Sequence, residues 1–354
     1  MKPDIFNIKT ESDFQAACLE TFRYQYENVE VYRKFVDYLN IDPEEVNEVA
    51  KIPFLPIEMF KNHQVLDKQF DFPQTENVWY FQSSGTTQML NRSKHYIADF
   101  SLYEESIYRS FEQIIGKPED FIFLGLLPNY SENLHSSLIY MVDFLMKKSG
   151  KPENGYFLYN HSELFELLKR FESLSVTEDK KVILFGVSFA LLDFLDSFPA
   201  PLNHSSTQSL TIIETGGMKG RKEEMTKDEL LRILKNGFGT ERIFSEYSMT
   251  ELLSQAYSLG DNIYETPNWM HILIRNTEDP FSYVENGRTG AINIIDLANR
   301  YSCAFIATQD LGKIVTDFEV PRDARNDNGT FPPKFQVLGR IDNSDIRGCS
   351  LLVT

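Results

Sequence analysis

The chain has 354 residues (41.1 kDa), with 52 acidic against 35 basic side chains, a formal net charge of −17 and a pI of about 4.9. So acidic a surface excludes binding to nucleic acid or to an anionic membrane through the overall field. A content of 42% apolar residues, with 28 Phe and 17 Tyr, excludes a disordered chain and fits one large or two ordinary globular domains.

The first seventy or so residues read as helical. Ser12 with Gln15 has capping-box spacing, and Phe14, Cys18, Phe22, then Tyr32, Phe35, Val36 and Leu39 recur at helical intervals. Asp42-Pro43-Glu44-Glu45 signals a second helix start, an N-cap followed by a first-turn proline and acids at the positive dipole end. From Val78 the pattern alternates. A short strand, Val78 to Phe81, precedes a polar loop, and a helix is predicted from Phe100 to Gly116. Phe121 to Leu124 reads as the next strand and Leu138 to Met146 as the next helix, closed by Gly150. Tyr156 to Tyr159, Val182 to Phe185 and Leu210 to Ile213 are further short apolar runs. Thr226 with Glu229 marks another capping box, and Gly237 a helix end. Strands separated by helices imply βαβ units and a largely parallel sheet. After Asn268 short β runs dominate, at Ile272 to Ile274, Ala291 to Ile295 and Phe305 to Ala307; Arg322 to Pro333 reads as a linker.

Three cysteines, Cys18, Cys303 and Cys349, without C-x-x-C spacing, provide neither a disulfide framework nor a thiolate zinc site. The polar N-terminus lacks an apolar signal core, and the most apolar stretch, Val182 to Leu192, stops at Asp193. That is short of the roughly 18 residues a spanning helix needs. The expected compartment is the cytoplasm, with no integral membrane segment.

The sharpest local feature is Trp79-Tyr80-Phe81-Gln82-Ser83-Ser84-Gly85-Thr86-Thr87-Gln88. Hydroxyls and a glycine directly after a strand offer side-chain O–H and unobstructed backbone N–H groups to a polyanion. Composition alone equally describes an ordinary Ser/Gly/Thr turn. Gly186-Val187-Ser188-Phe189-Ala190 lacks the second glycine of a nucleophile elbow, so Ser188 is not read as a hydrolase nucleophile.

Ser83-Ser84-Gly85-Thr86-Thr87 resembles the phosphate-binding signature of the adenylate-forming superfamily, the acyl- and aryl-CoA synthetases and their relatives. The further markers of that superfamily follow in order. Glu214-Thr215-Gly216-Gly217 stands where the family has its adenine-side loop, and Tyr247-Ser248-Met249-Thr250-Glu251 resembles Tyr-Gly-Met-Thr-Glu. Thr308-Gln309-Asp310 resembles Thr-Gly-Asp, and Gly339-Arg340-Ile341-Asp342 resembles the Gly-Arg-x-Asp hinge. The resemblance implies ATP and Mg²⁺ as cofactors. Ser83, Ser84, Gly85, Thr86 and Thr87 would hold phosphate, and Gly216, Gly217 and Tyr247 the adenine. Thr250 would meet the α-phosphate and Glu251 the metal, which takes only one or two protein carboxylates. Asp310 would accept the ribose hydroxyls, and Arg340 would donate to ribose or phosphate. Taken singly, Tyr247 and Thr250 equally read as a core aromatic and a helix cap, and Glu251, Asp310 and Arg340 as solvated charge.

The departures are Gln88, Ser248 and Gln309 at glycine positions, and an end only twelve residues after Asp342, where the superfamily continues into a small lysine-bearing domain. The stretch from Leu338 to Leu352 resembles the C-terminus of the acyl-protein synthetases, the LuxE family of bacterial luminescence systems. Leu127-Pro128-Asn129-Tyr130, Leu184 to Leu192 and Thr215 to Gly220 agree with it. That likeness implies activation of a fatty acid, or another carboxylic acid, as acyl-AMP. It further implies transfer to a C-terminal cysteine and delivery to a partner acyl-protein reductase. Cys349 matches the acceptor, and Arg347 stands two residues before it, where a cation favours thiolate; a chance cysteine at a chain end is the plainer alternative. Cys18 and Cys303 read as small buried hydrophobes. Leu138 to Met146 and Phe185 to Leu192 read as an acyl pocket or simply as core, and His95 and His135 as loop histidines near the site.

The expected fold is an α/β adenylate-forming large domain with a helical N-terminus, mixed sheets with flanking helices, a β-rich C-terminal part and no small C-terminal domain. Its expected divisions are 1–75 (helical segment packed on the core), 76–338 (adenylate-forming core) and 339–354 (stub with Cys349). Two other readings stay open: an acyl- or aryl-CoA ligase-like enzyme, and a non-catalytic nucleotide-binding subunit.

Overall fold

The computed structural model describes residues 4–70, 79–84, 92–128, 130–174, 180–198, 210–216, 225–315 and 332–341. Its strands are β1 (Leu55–Pro56), β2 (Tyr80–Gln82), β3 (Lys94–Tyr96), β4 (Phe121–Leu126), β5 (Gly155–Tyr156), β6 (Lys181–Val187) and β7 (Leu210–Thr215). They continue as β8 (Ile243–Tyr247), β9 (Ala256–Ser258), β10 (Tyr264–Glu265), β11 (Met270–Arg275), β12 (Gly290–Asp296), β13 (Phe305–Ile314) and β14 (Phe335–Arg340). The α-helices are α1 (Glu11–Asn28), α2 (Glu30–Tyr38), α3 (Met59–Asn62), α4 (Phe100–Ile114), α5 (Ser137–Ser149), α6 (His161–Leu174), α7 (Ser188–Ser197) and α8 (Lys227–Phe238). The chain divides into two compact units, Trp79–Pro267 and Met1–Val78 with Asn268–Thr354.

In the unit Trp79–Pro267, strands β5, β4, β6, β7 and β8 run parallel in that spatial order, and β9 and β10 extend the sheet antiparallel. Every residue of β4, β7 and β8 is buried, the mark of parallel strands covered on both faces. One face packs Leu124, Leu184 and Ile212 against Leu164, Leu168, Leu191, Leu230 and Leu234 of the following helices. On another side Phe111 of α4 meets Phe123, with ring centroids 5.6 Å apart. The predicted helices from Phe100 and Leu138 are present and capped. Asp99 accepts from the Leu102 N–H, Ser136 from the Ile139 N–H, and Gly150 ends α5 in the left-handed region. Thr226 caps α8 as its spacing predicts, accepting from the Glu229 N–H at 3.2 Å.

The end of α8 differs from expectation. The left-handed cap is Gly239, whereas Gly237 lies inside the helix because α7 crosses there: a Cβ on Gly237 would meet Leu195 Cδ1 at 2.5 Å. The run Tyr156 to Tyr159 contributes only the two-residue β5, Gly155–Tyr156.

In the other unit, β11, β12, β13 and β14 form an antiparallel meander, and β1 pairs in parallel with the start of β13, Leu55 opposite Ile306. The N-terminal helices pack on this sheet. Phe14 stacks on His271 at 3.5 Å, Tyr32 stacks on Phe305 at 6.1 Å, and the Gln25 amide donates to the carbonyls of Asn299 and Arg300. The capping box of α1 is Thr10 with Asp13 rather than Ser12 with Gln15; the helix starts two residues earlier, and Gln15 instead donates to Glu11. Asp42-Pro43-Glu44-Glu45 starts only a single 3₁₀ turn, Pro43–Glu45, with Asp42 accepting from the Glu44 N–H. Cys18 and Cys303 are both fully buried, as expected of small hydrophobes. The segment read as a linker, Arg322 to Pro333, lies outside the described residues except for its last two positions. Among the described residues no helix is long and apolar enough to cross a membrane.

Candidate active site

In an open α/β sheet, ligands bind at the carboxyl ends of the parallel strands, where loops leave the sheet. The register of the unit Trp79–Pro267 brings three such ends together: Val187 lies opposite Thr215, and Thr215 opposite Glu246. The chain leaves these strands at Ser188, Gly216 and Ser248. Two of the predicted loops, at Gly216 and at Tyr247 to Glu251, are therefore neighbours for a topological reason.

Gly216 sits at φ +72°, a left-handed conformation open to glycine, and its carbonyl accepts a hydrogen bond from Ser188 Oγ at 3.1 Å. The same Ser188 hydroxyl donates to Glu214 Oε2 at 2.8 Å, so Ser188 braces the loop and is not a nucleophile. Glu214 is fully buried, and its other oxygen accepts from the Lys227 ammonium. Burial works to discharge that ammonium, but the Glu214 carboxylate and Tyr264 outweigh it, and its pKa is raised. Glu246, buried one strand away, accepts a hydrogen bond from Thr215 Oγ1. Burial raises its carboxyl pKa; the hydroxyls of Ser248 and Thr215 act in the opposite sense, and the Glu214 charge adds to the rise.

Tyr247 ends β8, 9% exposed, with its ring against that of Tyr264 at 5.9 Å. A turn follows, closed by the Leu252 N–H to the Met249 carbonyl at 3.0 Å, and it carries Thr250 and the buried Glu251. The hairpin β2–β3 reaches this turn. His95, opposite Phe81 in the hairpin, has Nδ1 2.9 Å from the Thr250 carbonyl. A carbonyl can only accept, so Nδ1 carries the proton. The same hairpin holds Ser83, whose Oγ accepts from the Ser93 N–H at 3.1 Å while its own N–H donates to the Ser93 carbonyl at 3.0 Å. Ser83 therefore stands at the stem of the hydroxyl-rich loop, and Ser84 follows it exposed. Gly85, Thr86, Thr87, Gly217 and Cys349 lie outside the described residues.

His135 stacks on Tyr80 at 4.4 Å and its Nδ1 donates to the Tyr80 carbonyl at 2.7 Å, which gives it a structural role in orienting the hairpin. The runs considered as an acyl pocket are packed: Met141, Val142 and Leu145 of α5 and Ala190, Leu191 and Leu192 of α7 are all buried.

In the other unit, β13 and β14 place Asp310 directly opposite Arg340, with Oδ1 and Nε 3.3 Å apart. The Asp310 backbone is fixed through Thr308. Its N–H donates to Thr308 Oγ1 at 3.1 Å, the Thr308 hydroxyl donates to the Ile292 carbonyl, and Arg275 Nη2 donates to the Thr308 carbonyl at 2.6 Å. Gln309, at a glycine position of the expected motif, uses its amide on Glu58 Oε1.

Glu251 fits the role of an Mg²⁺ ligand. Its carboxylate is buried in the turn one residue after Thr250, and an Mg²⁺ ion takes only one or two protein carboxylates. Among the described residues no group of three or more His, Cys, Asp or Glu side chains forms a self-sufficient metal centre.

Sequence reasoning missed Glu214, Glu246 and Lys227. The signal was a glutamate near the end of each of two strongly β-patterned runs, Leu210–Thr215 and Ile243–Tyr247, since a charge buried there is tolerated only when it has a partner.

A family model described as acyl-protein synthetase, LuxE, matches residues 6–354. Among solved structures, the fold is similar to an open conformation of 2-hydroxyisobutyryl-CoA ligase in complex with 2-HIB-AMP and CoA. That match has a TM-score of 0.65 and 12% identity over 94% of this chain and 70% of the other. The same ligase in its thioesterification state gives a TM-score of 0.64 and 14% identity over 95% and 70%. ATP-bound MatB from Rhodopseudomonas palustris gives 0.50 and 16% over 74% and 47%. No curated protein sequence matches the chain.

Proposed function

This chain belongs to the acyl-protein synthetase (LuxE) family, and from that premise we propose that it activates a fatty acid with ATP as acyl-AMP, moves the acyl group to its own Cys349, and delivers it to an acyl-protein reductase. Membership makes it a ligase of the kind that forms an acyl-adenylate and then a thioester.

In the first step an oxygen of the substrate carboxylate attacks the α-phosphorus of ATP, and the bond to pyrophosphate breaks. In the second, the Cys349 thiolate attacks the acyl carbonyl and AMP leaves with the bonding pair. The protein's task is to hold the reactants in line and to neutralise charge on the phosphates. Ser83, Ser84, Gly85, Thr86 and Thr87 are assigned the terminal phosphates, and Thr250 the α-phosphate. Gly216, Gly217 and Tyr247 are assigned the adenine, Asp310 the ribose hydroxyls, and Arg340 a ribose or phosphate oxygen. Glu251 would hold Mg²⁺, which when bound supplies positive charge to the phosphate oxygens.

The observation that supports this reading most is the His95 bond, because it ties the hairpin bearing Ser83 to the turn bearing Thr250 and Glu251. Residues assigned to one polyanion are thereby held by one framework. Exchange of labelled pyrophosphate into ATP, dependent on a carboxylic acid, tests adenylation; coenzyme A consumption in place of an acyl-protein would favour a CoA ligase instead.

A further inference from the structure

The strand that carries Asp310 is irregular at that point. β12 and β13 pair Asn293 with Ala307 and Ala291 with Leu311, so Ile292 alone on one strand faces Thr308, Gln309 and Asp310 on the other. Such a bulge bends its strand, re-aims the side chains it carries and disrupts the ladder on that side. Other groups must therefore fix where the Asp310 carboxylate points.

Two of them act on the main chain. Arg275 Nη2 donates to the Thr308 carbonyl at 2.6 Å, and the Ile341 N–H donates to the Gln309 carbonyl at 2.7 Å. A third comes from the N-terminal segment. β1 runs parallel to the start of β13, with Pro56 opposite Ala307 and the Ile57 N–H donating to the Ala307 carbonyl at 3.0 Å. Two residues further along the two segments stand Glu58 and Gln309, and there the Gln309 amide donates to Glu58 Oε1. Glu58 also bears on the first anchor, since burial lowers the Arg275 pKa and the Glu58 charge opposes that fall. One half-buried carboxylate thus supports the bulge at two points.

We propose that Glu58 is a positioning residue for nucleotide binding, which holds the bulge through Gln309 so that Asp310 meets the ribose hydroxyls. This rests on the reading that Asp310 takes the ribose. Glu58 acts through its neighbours and not by contact with the nucleotide, and a binding group whose support is removed loses affinity through misplacement.

The test is acid-dependent pyrophosphate exchange by the full chain with ATP and with 2′,3′-dideoxy-ATP, which lacks both hydroxyls. The unaltered protein is expected to favour ATP in KM by about tenfold or more. Glu58→Ala is expected to cut that preference about 3- to 10-fold by raising KM for ATP, with kcat and the KM for the dideoxy nucleotide changed much less. Glu58→Gln, whose amide oxygen still accepts from Gln309, is expected to keep it. Gln309→Ala removes the other partner and is expected to reproduce the loss, which decides the matter where Glu58→Ala does not fold. A preference unchanged by removal of either partner, or an equal loss for both nucleotides, overturns the inference and leaves the proposed function standing. No preference for ATP in the unaltered protein removes Asp310 from the ribose and the inference with it, and no exchange with any acid overturns both readings.

Discussion

His95 and Thr250 are 155 residues apart in sequence and joined by a 2.9 Å hydrogen bond from the imidazole Nδ1 to the backbone carbonyl. One buried side chain on a hairpin thus sets the position of the turn that carries Glu251. Replacing His95 by Leu orphans the carbonyl, a loss of about 1–3 kcal/mol. If the loss falls on nucleotide binding, KM for ATP rises roughly 5- to 150-fold with that energy, while KM for the acid changes less. His95→Asn, whose amide nitrogen occupies the place of Nδ1, is expected to restore most of the ATP affinity. Steady-state kinetics with each substrate varied in turn decides it.

The Lys227–Glu214 pair is a stability determinant before it is anything else. Glu214 is fully buried, and its carboxylate answers to one ammonium. Lys227→Met leaves that charge uncompensated and is expected to cost about 3–5 kcal/mol in urea unfolding. The double change Lys227→Met with Glu214→Leu is expected to recover most of it, because removing both partners of a buried pair is often nearly neutral.

Asp310 and Arg340 behave differently. The Arg340 side chain is 75% exposed, so the pair contributes about 0–1 kcal/mol to folding. Asp310→Ala is therefore expected to leave the unfolding midpoint almost unchanged and to weaken ATP binding by about tenfold or more, as expected of a lost charge-assisted contact. Calorimetric titration of ATP alongside a melting curve separates the two effects.

Acid sensitivity has an identifiable source in His271. Burial lowers its pKa from 6.5 to about 3, with the ring stacked on Phe14. The unfolded chain binds a proton near pH 6.5 and the folded chain does not, so the stabilisation is complete above pH 6.5 and is lost as the pH falls toward 3. One pH unit below the unfolded value the loss is about 1.4 kcal/mol. His271→Phe is expected to flatten the stability profile between neutral and mildly acid pH by that amount, as measured by urea unfolding at each pH.

Much of this architecture was legible in the sequence because apolar runs of the right length carry it. The buried strands near Phe121, Val182 and Leu210 and the helices from Phe100 and Leu138 follow from apolar spacing, and the start of α8 from the cap chemistry of Thr226, whereas the caps Asp99 and Ser136 emerged only with the structure. The errors came where two local signals compete. Thr10 with Asp13 and Ser12 with Gln15 have the same spacing, and only the packing of α1 chooses between them. Gly237 looks like a stop, yet it is small because Leu195 crosses above it. The site was legible as motifs, since hydroxyl-rich and glycine-rich loops after strands announce anion binding. The brace beneath it was not legible, because Glu214, Lys227 and Ser188 meet through sheet register, a property of pairing between distant segments.

Acyl transfer to Cys349 is the most exposed element of the account, and intact-mass analysis addresses it directly. After incubation with ATP, Mg²⁺ and a panel of fatty and substituted acids, the protein is expected to gain the mass of one acid molecule less water. The adduct should map to the peptide holding Cys349, be released by hydroxylamine, and disappear in Cys349→Ser although pyrophosphate exchange continues. An adduct on another residue, or acid-dependent exchange with no acyl-protein formed, would contradict it.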